Sequence, residues 1–234
     1  MNLLLFTKKA KGFALIEVTI ALCVMGVLAS AALPLFKAAV SYSKTVQTRR
    51  ALEYALRSLA VYALENDRLP WAAPDHRGLE NEDEKLIVGV LPYKNLCVEQ
   101  QVVQDGYKND LWYVVNPKLT MWIPLTPLSR QYDPFLAIRV KTNNFRVIQE
   151  DGSEAIHFDP EADDFGAAAL IYIPPKSRYA LQDIVTTDGA GYDTMIVIKV
   201  PEKTSGVIVR WISRNNIRTM LGLSYKDRSS PFNN

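Results

Sequence analysis

The sequence predicts an α+β fold in which one long N-terminal helix packs on an antiparallel β-sheet. An apolar run fills residues 13–36, and apolar residues then recur every three or four positions over residues 52–63. Short β-branched and aromatic runs follow Pro70. Successive strands after one helix, without regular helices between them, indicate a sheet layered on that helix.

Composition limits the possible functions. The chain has 234 residues, of which 48% are hydrophobic and 22% are charged, as in ordinary globular proteins. Its 27 basic and 25 acidic residues nearly balance, so direct binding of nucleic acid is not expected. Cys23 and Cys97 lie too far apart in sequence and setting to predict a disulfide, and two scattered histidines do not indicate a zinc site.

The apolar run is long enough to cross a bilayer. Residues 13–36 contain Glu17, Thr19 and Ser30 as their polar members. At ~1.5 Å per residue the run spans roughly 35 Å as a helix. The twelve residues before it carry three lysines and no acid, which favours a cytoplasmic location for that end, although basic residues after the run weaken the asymmetry.

Three kinds of processing fit this segment. An ordinary secretory signal would be cut after Ala29-Ser30-Ala31, and a plain anchor would stay uncut. The third possibility is cleavage after Gly12, before the apolar run begins. Only this cut would place a new amino terminus, on Phe13, four residues before Glu17.

Glu17 distinguishes these possibilities. A carboxylate inside an apolar membrane segment costs about 2.5–3.5 kcal/mol on insertion scales, so a simple anchor or signal would normally exclude it. The Phe13 amine of a cleaved chain, or of a neighbouring subunit, would compensate the charge and set the subunit register. The alternative is that Glu17 lies at the membrane interface and reaches water.

The eleven residues from Gly12 to Leu22, GFALIEVTIAL, resemble the prepilin cleavage and methylation motif of type IV pilins and type II secretion pseudopilins. The resemblance implies cleavage after Gly12 by prepilin peptidase and N-methylation of Phe13. It also implies that Glu17 aligns incoming subunits, and Pro34 matches a proline that kinks many pilin helices. Other pilin or pseudopilin subunits and an inner-membrane assembly platform are the implied partners.

These patterns divide the chain into three segments. Residues 1–12 would be a leader, residues 13–66 a long helix whose part 13–36 is the transmembrane and filament core, and residues 67–234 an extracytoplasmic β-rich domain. The helix is expected to end before Leu69-Pro70, because proline disfavours helix at the preceding residue. Strands are predicted at 111–115, 121–125, 145–149, 167–173, 195–200 and 207–212, and a closing helix at 213–222.

Sequence signatures of catalysis are missing. No GxSxG, GxxxxGK[ST], GxGxxG, HExxH or CxxC occurs, so we expect no enzymatic activity and no catalytic residue. Two acidic stretches are interpreted as solvated turns, with calcium binding as the alternative and no other cofactor expected. The possible calcium ligands are Asp159, Glu161, Asp163, Asp188 and Asp193. Residues 80–85, ENEDEK, are interpreted as a hydrophilic loop.

The sequence therefore predicts a structural subunit, a minor pilin or pseudopilin, rather than an enzyme. It would lie in a bacterial inner membrane with one span and a periplasmic globular domain, and would enter a type IV pilus or a type II secretion pseudopilus. The large domain favours a minor subunit by analogy with the family. The alternative function is a single-pass membrane-anchored or secreted binding protein or enzyme, in which the helix is a simple anchor.

Overall fold

The computed structural model describes residues 14–66, 68–81, 83–120, 144–154 and 167–213. It forms two compact units, one reaching Lys44 and the other beginning at Thr45. The helices are α1 (Ala14–Asn66) and the single turn α2 (Leu181–Ile184). The strands are β1 (Val88–Val90), β2 (Trp112–Val115), β3 (Phe145–Gln149), β4 (Ala167–Tyr172), β5 (Val185–Asp188), β6 (Met195–Val200) and β7 (Ile208–Ser213).

The C-terminal part of α1 buries one stripe of side chains, as its periodicity predicts. Leu52, Ala55, Leu59 and Ala63 are fully buried. The spacing of three and four residues puts them on one face of the helix. Alanine at two of these positions lets the helix backbone come close to its partner. That partner is the first sheet.

The first sheet is antiparallel, with strand order β1-β2-β4-β7. Alternate residues of a strand point to opposite faces, and the register places Tyr113 beside Leu170 and Val115 beside Ala168. These four residues pack in the same core as the α1 stripe. One face of the sheet is thus covered by the helix, as predicted.

A second sheet covers the other face, and the sequence did not predict it. Its order is β3-β6-β5, with β3 and β6 parallel and β5 and β6 antiparallel. Val147, Ile196 and Ile198 pack with Val114 and Ile171 of the first sheet. The second unit therefore has three layers, one helix and two sheets, so the fold is α+β with one antiparallel and one mixed sheet.

The predicted strands agree with the structure where it describes them. β3 and β6 match the predicted limits, β2 and β4 differ by one residue at one end, and β7 is displaced by one residue toward the C-terminus. The strand predicted at 121–125 and residues 214–222 of the predicted closing helix lie outside the described residues, while Ser213 ends β7. β1 and β5 escaped prediction because β1 is only three residues long and β5 exposes Thr186, Thr187 and Asp188.

Gly89 explains why the short strand β1 is hard to predict from the sequence. Glycine is depleted in strands, so Val-Gly-Val gives little strand signal. In the structure a Cβ at this position would lie 2.4 Å from the carbonyl oxygen of Ala73. Glycine here allows the chain at Ala73 to approach and pair with Val90.

Residues 80, 81 and 83–85 lie outside helices and strands, as predicted, but the Glu80 side chain is not solvated. This side chain is 5% exposed and forms an ion pair with Arg68, whose Nη1 lies 2.8 Å from Oε2. The Tyr62 hydroxyl, the Trp71 N–H and the Asn95 amide also donate hydrogen bonds to this carboxylate. Glu80 therefore joins the end of α1 to the segments that follow it, a tertiary role that charge composition does not reveal.

We predict that Leu59→Ala destabilises the second unit by about 2–5 kcal/mol, because it leaves a cavity between α1 and the first sheet. Urea unfolding of the full chain in detergent micelles, followed by tryptophan fluorescence, measures the loss. Val61→Ala is the matched control on the same helix, since Val61 is 46% exposed. The control should stay within about 0.5 kcal/mol of wild type. Equal stability of Leu59→Ala and Val61→Ala would contradict the described packing.

Candidate functional site

The N-terminal part of α1 is apolar all round and exposed. We call residues 15–36 the apolar segment. Its exposed large hydrophobic residues are Leu15, Ile16, Val18, Ile20, Leu22, Val24, Met25, Val27, Leu28, Leu33, Leu35 and Phe36. Among the described residues, α1 is the one helix long and apolar enough to cross a membrane. A helix with this surface is stable against lipid or against other apolar helices.

The hydroxyl groups of the apolar segment bond to the helix itself. Thr19 Oγ1 donates to the Ile16 carbonyl at 2.8 Å, and Ser30 Oγ donates to the Val27 carbonyl at 2.7 Å. Such internal hydrogen bonds remove most of the cost of placing a hydroxyl in an apolar medium. Neither hydroxyl therefore opposes membrane insertion.

Glu17 differs from these residues. It is exposed and lies in the first turn described for α1, where the helix dipole favours a negative charge. Among the described residues no group forms a hydrogen bond or an ion pair with its carboxylate. Gly12 and Phe13, the predicted processing residues, lie outside the described residues, so the pairing of Glu17 with the Phe13 amine stays a prediction.

Pro34 lies inside α1, and the helix continues through it to Asn66. Proline has no backbone N–H, so the Ser30 carbonyl lacks the donor that an ordinary residue at position 34 would supply. Gly26 adds a second position of low helix propensity, and a Cβ there would meet no atom within 4 Å. Both positions leave α1 easier to bend within or next to the apolar segment.

The predicted acidic positions do not form a described metal centre. Asp159, Glu161 and Asp163 lie outside the described residues. Asp188 ends β5, and the Asp193 carboxylate pairs with Lys118 Nζ at 3.0 Å. In the described ranges no group of three or more His, Cys, Asp or Glu residues could hold a metal ion. Calcium binding therefore stays an untested alternative. Cys23 and Cys97 are both free thiols.

A groove in the second unit is the other candidate site. Its volume is about 910 Å³, within the range of ligand sites. Three separate segments, around residues 74–76, 100–112 and 172–182, line it together with Val90 of β1. Trp112 of β2 is 37% exposed and lines the groove.

Asp110 organises the polar side chains of the groove. Gln100 Nε2 and Gln104 Nε2 each donate to Asp110 Oδ1 at 3.0 Å, and His76 Nδ1 lies 2.5 Å from Oδ2. Burial raises the pKa of Asp110, but the hydrogen bonds from Gln104, Gln100 and His76 outweigh it and leave the pKa below the usual value. The carboxylate therefore stays ionised and holds three side chains in fixed orientations.

Sequence reasoning missed the groove because its residues come from distant parts of the chain. The spacing of Gln100 and Gln104 offers a faint signal, since two amides four residues apart can face the same side of a helical turn. Nothing in the sequence connects them to His76 or to Trp112. Only the pairing of β1 with β2 and the turn before Asp110 bring these segments together.

Comparison with known proteins found no match: no family model, no curated protein and no solved structure matches this chain. Function therefore has to be inferred from the residues and their geometry.

We predict that Asp110→Asn lowers the free energy of unfolding and that the loss depends on pH. The folded-state pKa of Asp110 is lowered, so its contribution is present above the unfolded value near 3.8 and is lost as pH falls through the lower folded value. Urea unfolding of both proteins should show a constant difference from pH 7 to about 5 and a shrinking one below 3.8. A difference that grows on acidification would contradict the assignment.

Proposed function

We propose that the chain is a structural subunit, a minor pilin or pseudopilin, of a type IV pilus or a type II secretion pseudopilus. The observation that carries the proposal is Glu17, an ionisable residue in an exposed helix segment that is otherwise apolar. A simple anchor gains nothing from a carboxylate there. A filament subunit gains a charge that must find one particular partner.

The free energies favour a partner for Glu17. An unpaired carboxylate in the membrane costs about 2.5–3.5 kcal/mol on insertion scales. A positive group within hydrogen-bonding distance recovers this cost, and a subunit out of register leaves the charge unpaired. Apolar helices attract one another in many axial positions. A single buried charge pair favours the one position in which the two charges meet.

The partner that fits is an amino terminus at Phe13. Cleavage after Gly12 by a prepilin peptidase would create it, and the resemblance of residues 12–22 to the prepilin motif supports this step. In an assembly, the amine of one subunit would meet Glu17 of its neighbour. The inner-membrane assembly platform would draw subunits from the membrane, with the globular domain on the periplasmic side.

The size of the domain after α1 supports a minor role. The segment predicted to be the globular domain, residues 67–234, is long by the standards of the family, which suits a subunit needed in few copies. Pro34 and Gly26 support a helix that bends when it moves from lipid to a packed filament. The arguments from domain size and from helix bending are analogies with the family. They agree with the proposal but are not the evidence for it.

A membrane-anchored binding protein is the second candidate function, because the groove around Asp110 is large enough for a ligand. In that case the apolar segment would be a simple anchor and Glu17 would have no role in assembly. The two functions therefore differ in what a substitution at Glu17 does.

We predict that Glu17→Ala is processed normally but enters filaments at least about tenfold less well, because the register charge is lost. Immunoblotting of the sheared filament fraction against the membrane fraction in the native host measures this ratio. Glu53→Ala, a change at an exposed glutamate of the same helix, is the matched control and should assemble normally. Full assembly of Glu17→Ala would refute the proposed function.

We predict that the mature chain begins at Phe13 and that Gly12→Asp stops the cleavage. Mass spectrometry of the N-terminal peptide from purified membranes identifies the first residue. A mature chain that begins at Ala32 would show an ordinary secretory signal, and one that begins at Met1 would show an uncut anchor. Either result would contradict cleavage by a prepilin peptidase.

A further inference from the structure

The groove in the second unit has chemistry that the proposed function does not use. It is built from residues of the globular part, far along the chain from the apolar segment, so its role can be tested separately. Three properties indicate its ligand: the state of its charged groups, the orientation of its amides and the exposure of Trp112.

The two carboxylates of the groove are already engaged with other side chains. Asp110 receives donors on both oxygens, and Asp75 pairs with Arg77 Nε at 2.7 Å. Of the described residues that line the groove, Lys108 alone carries a permanent positive charge. A phosphate or a nucleic acid would need several basic groups, and a cation would need an unengaged carboxylate. The balance favours a neutral ligand.

The two glutamine amides are held with their ligand-facing atoms free. Each uses one N–H on Asp110, which leaves the second N–H and the carbonyl oxygen. Among the described residues these remaining atoms have no hydrogen-bonding partner. Each amide thus offers one donor beside one acceptor. A hydroxyl group both donates and accepts, so paired hydroxyls on neighbouring carbons fit this arrangement.

His76 is the third side chain, after Gln100 and Gln104, that binds Asp110. Its Nδ1 is bound to Asp110, and its side chain is 83% exposed, so Nε2 faces solvent. The loop of residues 105–109 leads to Asp110. It is stabilised by the Asp105 carboxylate, which is 1% exposed and accepts hydrogen bonds from the N–H groups of Tyr107 and Asn109. Asp110 thus gives the three side chains a common anchor, and a ligand that binds them has less side-chain freedom to remove.

Trp112 supplies an apolar surface next to these polar groups. It lies on β2, whose backbone is paired with β1 on one side and β4 on the other, so the backbone that carries the indole is held in place. An exposed aromatic ring on a paired strand can stack on a flat apolar face of a ligand without ordering a mobile loop. The ring of a pyranose sugar has such a face on its C–H side and hydroxyl groups around its edge.

From these three properties we infer that the groove binds a neutral oligosaccharide. One pyranose ring stacks on Trp112, and its hydroxyl groups bond to the amides of Gln100 and Gln104. A groove of about 910 Å³ has room for more than one ring, so a short chain binds more tightly than a single sugar.

The test is binding of the full chain to immobilised cellotetraose, maltotetraose, chitotetraose and mannotetraose. The protein is kept in a zwitterionic detergent, because detergents with glucose or maltose head groups would compete for the groove. We expect at least one of the four to bind and the same oligosaccharide, free in solution, to displace it. Absence of binding to all four at their solubility limits would overturn the inference.

Variants locate the binding. Gln104→Ala and Trp112→Ala should each weaken the affinity by about tenfold or more, and Trp112→Phe should retain most of it because an aromatic face remains. Gln101→Ala is the matched control, since Gln101 is exposed beside Gln100 but does not line the groove. It should bind as wild type does.

The folded state of each variant is checked by its thermal transition. If Trp112→Ala does not fold, Gln104→Ala decides the result. Unchanged affinity in Gln104→Ala, and in Trp112→Ala where it folds, would overturn the inference. None of these outcomes depends on filament assembly. A negative binding result would therefore not contradict the proposed function, and full assembly of Glu17→Ala would not contradict oligosaccharide binding by the groove.

Discussion

The packing of the C-terminal part of α1 on the first sheet is the interaction on which the second unit depends. One stripe of α1 is buried against Tyr113 and Leu170 of the first sheet. The stripe consists of Leu52, Ala55, Leu59 and Ala63. At about 25 cal/mol per Å² of apolar surface, this contact supplies much of the free energy that holds the layers together. The residues before Thr45 continue the same helix but expose their apolar surface, which makes lipid or other helices necessary.

Glu80 and Glu17 are two carboxylates that need a positive partner, and they serve different roles. Glu80 is buried and receives hydrogen bonds from Arg68, Tyr62, Trp71 and Asn95, so its charge is compensated within the chain. Glu17 has no such donors among the described residues. A carboxylate in an apolar setting needs a positive partner in either case. For Glu80 the partner stabilises the fold, and for Glu17 the proposed partner is an amine at the end of a helix.

Much of the fold followed from the sequence, because periodicity reports burial directly. The stripe of α1, its end before Pro70 and the strands β3 and β6 were predicted to within a residue. The second sheet was missed, since β5 is largely exposed and the parallel pairing of β3 with β6 joins strands far apart in the chain. The groove was missed for a similar reason. Glu17 could be found from sequence because its signal is local: one charge in an apolar run.

Cross-linking in the native host measures whether the apolar segment packs against helices of other subunits. A photoreactive benzoylphenylalanine at Leu22, which is 63% exposed, samples the surroundings of the helix. We expect adducts with other subunits that carry an N-terminal apolar helix, and a marked loss of these adducts when Glu17→Ala is added. Adducts with lipid alone, in cells that assemble filaments containing the protein, would contradict this packing.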